Sequence, residues 1–138
     1  LGLQNQLFLG NLYAKRDWGH AKDYVAAMWK MLQNKTPKDY VISTGKNYSV
    51  KDFINLVSKK LNLKLKWFGK GMNEYAINLE NNKKIIIVKK KYFRPTEVDL
   101  LLGDSKKAHR ELKWKPQITL KQLVNEMVTF ELQSLNEK

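Results

Sequence analysis

The chain contains no cysteine. That excludes disulfides and thiolate metal sites, and it fits a cytoplasmic protein. It also lacks any run of about 18 apolar residues, so no helical membrane span is expected. No basic start, apolar core and small-residue cleavage site follow one another at the beginning, so a secretory leader is not expected either. Leu1 stands where a natural chain carries Met, and the expectation is a processed chain or a piece of a longer one. Glycine is scarce and scattered, at positions 2, 10, 19, 45, 69, 71 and 103. That spacing leaves no GxGxxG or GxxGxxG loop for a dinucleotide. No tyrosine is followed four residues later by lysine, so a Tyr-x-x-x-Lys proton-transfer pair is missing. Histidine is limited to His20 and His109, far apart in sequence, and no carboxylate spacing completes a metal set around either. Both are read as structural, His20 at a helix start and His109 on a helix surface. Arginine is the most telling scarcity. Of 26 Lys+Arg, only Arg16, Arg94 and Arg110 are arginine. A guanidinium is a planar fork that grips phosphate or carboxylate with two parallel bonds, whereas an ammonium is a mobile point charge.

What is present argues for a folded globule. The 138 residues are 43% hydrophobic and include four Trp and five Phe. A chain near this length buries roughly 68–70% of its unfolded surface, so one domain over residues 1–138 is expected. The net charge of +13 admits two readings, a polyanion partner or a lysine-rich solvated surface. The lysines are spread along the chain, with short clusters at Lys83 and Lys84 and at 89–91. Trp67, Phe68, Tyr92 and Phe93 stand among them, and bases stacking on aromatics beside lysine is how single strands are held. A basic single-stranded nucleic-acid-binding module is therefore the alternative function, although no RNA- or DNA-binding motif matches. A third reading is a structural or assembly piece.

Patterning predicts short strands and longer helices in alternation. Leu7, Phe8 and Leu9 form a short strand that ends in a turn at Gly10-Asn11. A second extended piece covers 14–18, and a helix follows over about 20–33 with Ala21, Tyr24, Val25, Met28 and Leu32 on its apolar face. Asp23 stands in its first turn, where a carboxylate meets the positive end of the dipole. Tyr40, Val41 and Ile42 read as a buried strand. Ser49 and Asp52 resemble a capping box opening a second helix with Val50, Phe53, Ile54, Val57 and Leu61 on one face. Leu63, Leu65 and Trp67 alternate with Lys64 and Lys66 as a half-buried strand. Residues 75–79 and 85–88 are expected to pair as a hairpin across Asn81-Asn82. Asp104 or Ser105 caps a short helix to about Leu112. A last helix starts near Thr119, with Leu120, Leu123, Val124, Met127, Val128 and Leu135 on a broad apolar face. The strands are too few for a complete doubly wound sheet, and the fold class expected is a small mixed α/β lobe.

Two stretches are candidates for chemistry. In Gly10-Asn11-Leu12-Tyr13-Ala14-Lys15-Arg16-Asp17-Trp18, a turn delivers Arg16 just before a helix N-terminus, where backbone N–H groups, dipole and guanidinium can face one anion. Arg16 paired with Asp17 or Asp23 is the other reading. In Phe93-Arg94-Pro95-Thr96-Glu97-Val98-Asp99, Pro95 stiffens a loop that carries Arg94, and Glu97 is placed to accept from sugar hydroxyls. The competing reading there is an Arg94–Glu97 surface pair worth roughly 0–1 kcal/mol. Arg110 reads as a surface residue.

AKRDWGHAKDYVAAMW and YFRPTEVDLLLGD, at this separation, closely resemble the GDP-mannose 4,6-dehydratases of the extended short-chain dehydrogenase/reductase group. LGNL at 9–12, STGKNYSVKDF, KAHRELKWKP and LVNEMV extend the likeness over essentially the whole chain. The resemblance is to the C-terminal, substrate-binding portion of such an enzyme. It implies that an N-terminal Rossmann domain carrying NADP and the catalytic Thr, Glu, Tyr and Lys lies outside these residues. No catalytic, cofactor-binding or metal residue is therefore assigned here. It implies that Arg16 and Arg94 grip the diphosphate of GDP-mannose, that Glu97 binds ribose hydroxyls, and that the turn at Asn11 lies near the guanine. The family reaction is an internal redox cycle: hydride leaves C4 of the mannose for NADP, water is lost across C5–C6, and hydride returns at C6. GDP-4-keto-6-deoxymannose, a precursor of fucose and other deoxysugars, is the product. The resemblance further implies a homo-oligomeric, NADP-dependent carbon–oxygen lyase acting in the cytoplasm, without nucleic acid or membrane as partner, and inactivity of these residues alone. Two departures stand out. Tyr13 occupies a position where the family pattern has an acid, and Lys51 one where it commonly has arginine.

Overall fold

The computed structural model describes residues 4–94, 98 and 100–136. In chain order its elements are β1 (Leu7–Leu9), β2 (Lys15–Asp17), α1 (Ala21–Leu32), β3 (Asn47–Ser49), α2 (Val50–Lys60), β4 (Leu65–Phe68), β5 (Tyr75–Asn78), β6 (Lys83–Val88), α3 (Lys106–Glu111) and α4 (Leu120–Asn136). Single 3₁₀ turns occupy Gly71–Asn73 and Lys90–Tyr92. The chain divides into two compact units. One runs up to Ala14 and resumes at Ser49, and the other takes Lys15–Tyr48 and everything from Leu100 onward.

The first unit is built on a four-stranded sheet in the order β1-β6-β5-β4. The hairpin foreseen across Asn81-Asn82 forms, with β5 and β6 antiparallel. Asn82 takes the left-handed conformation (φ 54°) that asparagine tolerates, and Asn81 Oδ1 accepts from the Lys83 amide at 3.0 Å. β1 then joins β6 in parallel, with Leu7 opposite Ile86 and Leu9 opposite Val88. The capping box of α2 is complete, with Ser49 Oγ accepting from the Asp52 amide and the Asp52 carboxylate accepting from the Ser49 amide. Leu12, Ile54, Ala76, Ile86 and Val88 are the buried centre of this unit.

The second unit pairs β2 with β3 and carries α1, α3 and α4 around Ala27, Ala108, Leu112 and Trp114. α1 begins as the sequence suggests, with His20 buried and its Nδ1 accepting from the Lys22 amide at 3.0 Å. His109 is half-buried rather than purely superficial. Ser105 Oγ lies 3.0 Å from its Nε2, and its ring tilts against Trp114. Arg110 is exposed, as read from the sequence, and meets its neighbour Glu111. Asp23 does more than complement a dipole. It is 6% exposed, and its Oδ2 accepts from the amides of Gln117 and Ile118 at 3.0 and 2.9 Å. Its carbonyl accepts from Trp114 Nε1 at 2.8 Å. One residue thus ties the turn after Pro116 and the buried indole to the first turn of α1.

Three expectations are corrected. The face of α1 that packs inward is Tyr24, Ala27 and Met31, whereas Val25, Met28 and Leu32 are 61, 58 and 78% exposed. The helix is apolar on nearly every side, so its periodicity does not choose a core face. Residues 40–42 do not form a buried strand. Tyr40 and Ile42 pack on the Ala27 cluster, but the segment joins no ladder among the described residues and Val41 is 53% exposed. In α4, Leu120, Val124 and Val128 are buried while Met127 is about half exposed.

Asp23→Ala removes two charge-assisted backbone bonds, each worth about 1.5–3 kcal/mol. It is expected to lower stability by about 3 kcal/mol in urea titrations followed by Trp fluorescence, whereas a loss below about 0.5 kcal/mol would mean the two amides find other partners.

Candidate functional site

Arg16 sits in the middle of β2, half-buried, and its Nη1 donates to the Lys15 carbonyl at 2.8 Å. Among the described residues no ion pair joins Arg16 to Asp17 or Asp23, and both acids are engaged by backbone amides. Asp17 Oδ1 accepts from Thr44 N at 3.0 Å and Oδ2 from Gly45 N at 2.9 Å. Gly45 has φ +71°, a conformation that lets its amide turn toward the carboxylate. Trp18 Nε1 donates to the Tyr48 carbonyl at 3.2 Å. Asp17 and Trp18 therefore hold the strand that presents Arg16. The cleft beside Trp18, lined by Thr44, Tyr48 and residues 116–120, measures about 90 Å³. That is well below the roughly 300 Å³ at which small-molecule pockets begin.

Asn11 and Arg94 both belong to the first unit. Gly10, at the end of β1, lies so close to the Tyr92 carbonyl that a Cβ there would collide with it. The Lys89 amide also donates to the Leu9 carbonyl at 2.8 Å. This close approach brings the turn that carries Asn11 against the segment that leads into Arg94. Asn11 Oδ1 accepts from the Tyr13 amide at 2.9 Å, which fixes the turn and leaves the side-chain NH₂ as the group it can offer outward. Arg94 is exposed. Glu97 lies outside the described residues.

Sequence reasoning did not foresee Glu74. It is 2% exposed, and it brings the two departures from the family pattern together. Lys51 Nζ forms an ion pair with Glu74 Oε1 and lies 3.2 Å from the Tyr13 hydroxyl, which donates to the same carboxylate oxygen at 3.1 Å. The ammonium also stands over the Trp67 and Tyr13 rings, at 4.6 and 5.3 Å. The Lys51 amide donates to the Leu12 carbonyl at 2.9 Å, so side chain and backbone of the first turn of α2 both brace residues 11–13. Burial pushes the Lys51 ammonium toward losing its proton, but the hydrogen bonds to Glu74 and Tyr13 outweigh it and leave its pKa raised. Among the described residues Glu74 Oε2 has no hydrogen-bond partner, so this carboxylate depends on Lys51 and Tyr13. No periodic signal marks Glu74, which lies in the turn before β5.

No group of three or more metal-ligating side chains occurs among the described residues. Gly10 faces the Tyr92 carbonyl and Gly19 faces the Tyr24 ring, so neither of these two glycines leaves a cradle for phosphate. Three of the four aromatics of the nucleic-acid reading have a lysine beside them, and Tyr92 is 49% exposed. Lys51 stands over Trp67, Lys66 over Phe68, Lys91 over Tyr92, and Phe68 stacks on Tyr75.

Lys51→Met leaves Glu74 buried without its cation, and breaking such a pair costs about 3 kcal/mol. A raised pKa also fixes the sign of a pH effect. The ammonium's contribution is full below its unfolded value of about 10.4 and is lost as pH rises through the higher folded value. Thermal melts from neutral to strongly alkaline pH are expected to show a smaller alkaline loss of stability in Lys51→Met than in the parent. Parallel pH profiles would contradict the pairing.

A family model described as GDP-mannose 4,6 dehydratase matches residues 1–127. The chain is 49% identical over 131 residues to a GDP-mannose 4,6 dehydratase of Drosophila melanogaster, covering 94% of this chain and 33% of the relative. It is 46% identical over 142 residues to a GDP-mannose 4,6-dehydratase of Vibrio cholerae, covering 96% and 38%. It thus spans about a third to two-fifths of the relatives it matches. Among solved structures, RMD from Pseudomonas aeruginosa, complexed with NADPH, superposes with a TM-score of 0.71 at 22% identity over 93% of this chain and 36% of that one. UDP-glucose 4-epimerase from Thermotoga maritima, with UDP-glucose, does so at 0.70 and 18% over 94% and 36%. These two likenesses bear on the fold, and they agree with the mixed α/β architecture. With the Arg-Asp-Trp strand and the Arg94 corner in place and 127 residues matching one family, the chain belongs to the GDP-mannose 4,6-dehydratase family.

Proposed function

We propose that this chain holds the nucleotide end of GDP-mannose, as the GDP-binding part of a GDP-mannose 4,6-dehydratase that converts the sugar nucleotide to GDP-4-keto-6-deoxymannose. The observation that carries this reading is the close approach of Gly10 to the Tyr92 carbonyl, which sets Asn11 and Arg94 at one corner of the first unit. Arg94 grips a phosphate with its fork, and Asn11 offers its amide toward the base. Arg16, on a strand fixed through Asp17, is the second phosphate-binding guanidinium. Glu97, three residues beyond Arg94, accepts from ribose hydroxyls. A guanidinium suits a pyrophosphate better than an ammonium because two parallel charge-assisted bonds form at once. That is the physical sense of arginine at positions 16 and 94 in a chain that otherwise uses lysine.

The parent enzyme, on this reading, is an NADP-dependent carbon–oxygen lyase. On the same reading, NADP binding and the acid–base chemistry fall to residues beyond this chain. The contribution made here is positional. Binding energy from the remote GDP group is converted into correct placement of the hexose. The assembled enzyme is a cytoplasmic homo-oligomer in this proposal, with GDP-mannose as its partner rather than nucleic acid or membrane.

Calorimetric titration with GDP tests the assignment. Arg94→Ala and Arg16→Ala are each expected to weaken GDP by about 10- to 100-fold, the equivalent of about 1.5–3 kcal/mol. Arg94→Lys should recover only part of the loss, and affinity for a random oligonucleotide should be unchanged. Equal GDP affinity across parent and variants would overturn the phosphate roles. A coupled assay is expected to find no dehydration of GDP-mannose by the chain alone, and turnover would place catalytic groups within it.

A further inference from the structure

Glu74 stands between the 3₁₀ turn Gly71–Asn73 and β5 in the first unit. Its backbone is fixed from two sides. The Glu74 amide donates to the Gly71 carbonyl at 3.2 Å, and the Val88 amide donates to the Glu74 carbonyl at 2.9 Å. Val88 ends β6, so this backbone is tied to the strand whose exit carries Arg94. The side chain of Glu74 reaches the other exit. Oε1 accepts from the Tyr13 hydroxyl at 3.1 Å and pairs with Lys51 Nζ. Tyr13 is 52% exposed, so packing alone does little to restrain its ring. The bond to Glu74 and the ammonium 5.3 Å from the ring hold it instead. The Tyr13 amide is in turn the donor that Asn11 Oδ1 accepts at 2.9 Å. A displacement of Tyr13 is therefore passed directly to Asn11.

Stability does not account for this arrangement. Glu74 is 2% exposed, and its Oε2 has no hydrogen-bond partner among the described residues. Apolar side chains of similar volume often replace a buried ion pair without loss, and an orphaned buried oxygen costs free energy. Buried, oriented polar groups of this kind are what a binding site needs behind its contact groups, to hold them within a fraction of an ångström. We infer that Glu74 is a positioning residue of the nucleotide corner. Through Tyr13 and Lys51 it sets the 11–13 turn relative to β6, and so fixes where the Asn11 amide meets the base. This role rests on the reading of Asn11 as the base contact. Glu74 is too deeply buried to reach the ligand itself. Its effect is confined to the base end, because the fork of Arg94 follows the β6 exit and is not carried by Tyr13. Glu74 thus serves recognition of the base and not the grip on the diphosphate.

Parallel calorimetric titrations with GDP and with inorganic pyrophosphate separate the two ends. The parent is expected to bind both, GDP more tightly. Glu74→Gln keeps the volume and removes the charge, whereas Tyr13→Phe removes only the hydroxyl and leaves the buried pair in place. Each should weaken GDP about 10-fold, the scale of one oriented hydrogen bond, with pyrophosphate affinity unchanged. Circular dichroism checks the fold of each variant, and Tyr13→Phe decides the matter if Glu74→Gln does not fold. Equal weakening of both ligands would make Glu74 a general support of the fold or of the phosphate grip, and would overturn the positioning role. Unchanged affinity for both would overturn it as well. A parent that binds pyrophosphate as tightly as GDP would remove the base contact of Asn11, and the positioning role with it, while leaving the arginine roles standing. A parent that binds neither ligand would overturn the nucleotide reading as a whole.

Discussion

The site in the first unit depends on a missing methyl group. Gly10 ends β1 against the carbonyl of Tyr92, at a distance that no side chain permits. Because β1 lies parallel to β6, the chain leaves both strands at the same end of the sheet, and the absence of a Cβ lets the two exits touch. Asn11 follows one exit and Arg94 the other. Two residues more than eighty positions apart thereby share a corner, and nothing in their own side chains achieves this. The hairpin that puts β6 in place rests in turn on Asn82, one of the few residues that enters the left-handed region easily.

Acid is in short supply, and this chain uses it structurally. Asp17 and Asp23 each bind two backbone amides, Asp52 closes a capping box, and Glu74 neutralises a half-buried lysine. Glu126 reaches both Lys22 and His20, and Glu111 reaches Lys38, Tyr40 and Arg110. Hydrogen bonds from Lys22 and from Lys38 hold the carboxyls of Glu126 and Glu111 below their ordinary pKa. Carboxylates lowered in this way add stability that is present above the unfolded pKa and lost as pH falls through the folded one. Much of the lysine excess has an equally local purpose, with ammonium groups over aromatic rings at Phe8, Tyr40, Phe68 and Tyr75.

The features legible in the sequence were those set by local chemistry. The Ser49–Asp52 box, the Asn81-Asn82 turn, the start of α1 at His20 and the alternation that made β4 all depend on neighbours a few residues away. Long-range pairing was not legible. Tyr40, Val41 and Ile42 have the composition of a strand, but a strand exists only beside a partner, and none stands among the described residues. In α1 the periodicity was real, yet apolar residues on both faces left the choice of core to tertiary packing, and Ala27 rather than Leu32 took it. Tyr13 and Lys51 were visible as two unrelated departures from the family pattern. Their meeting at Glu74 required the fold, because a lone buried glutamate leaves no trace in a pattern. The arginines were conspicuous by rarity alone, but their phosphate roles came from the resemblance and not from spacing.

The most direct test of the corner is GDP binding by Gly10→Ala. The account predicts a folded protein by circular dichroism in which the β1 and β6 exits are forced apart, with GDP affinity falling as Asn11 and Arg94 separate. A folded Gly10→Ala protein that binds GDP as tightly as the parent would contradict it, because the two residues would then reach the nucleotide without the contact on which the site is argued to rest.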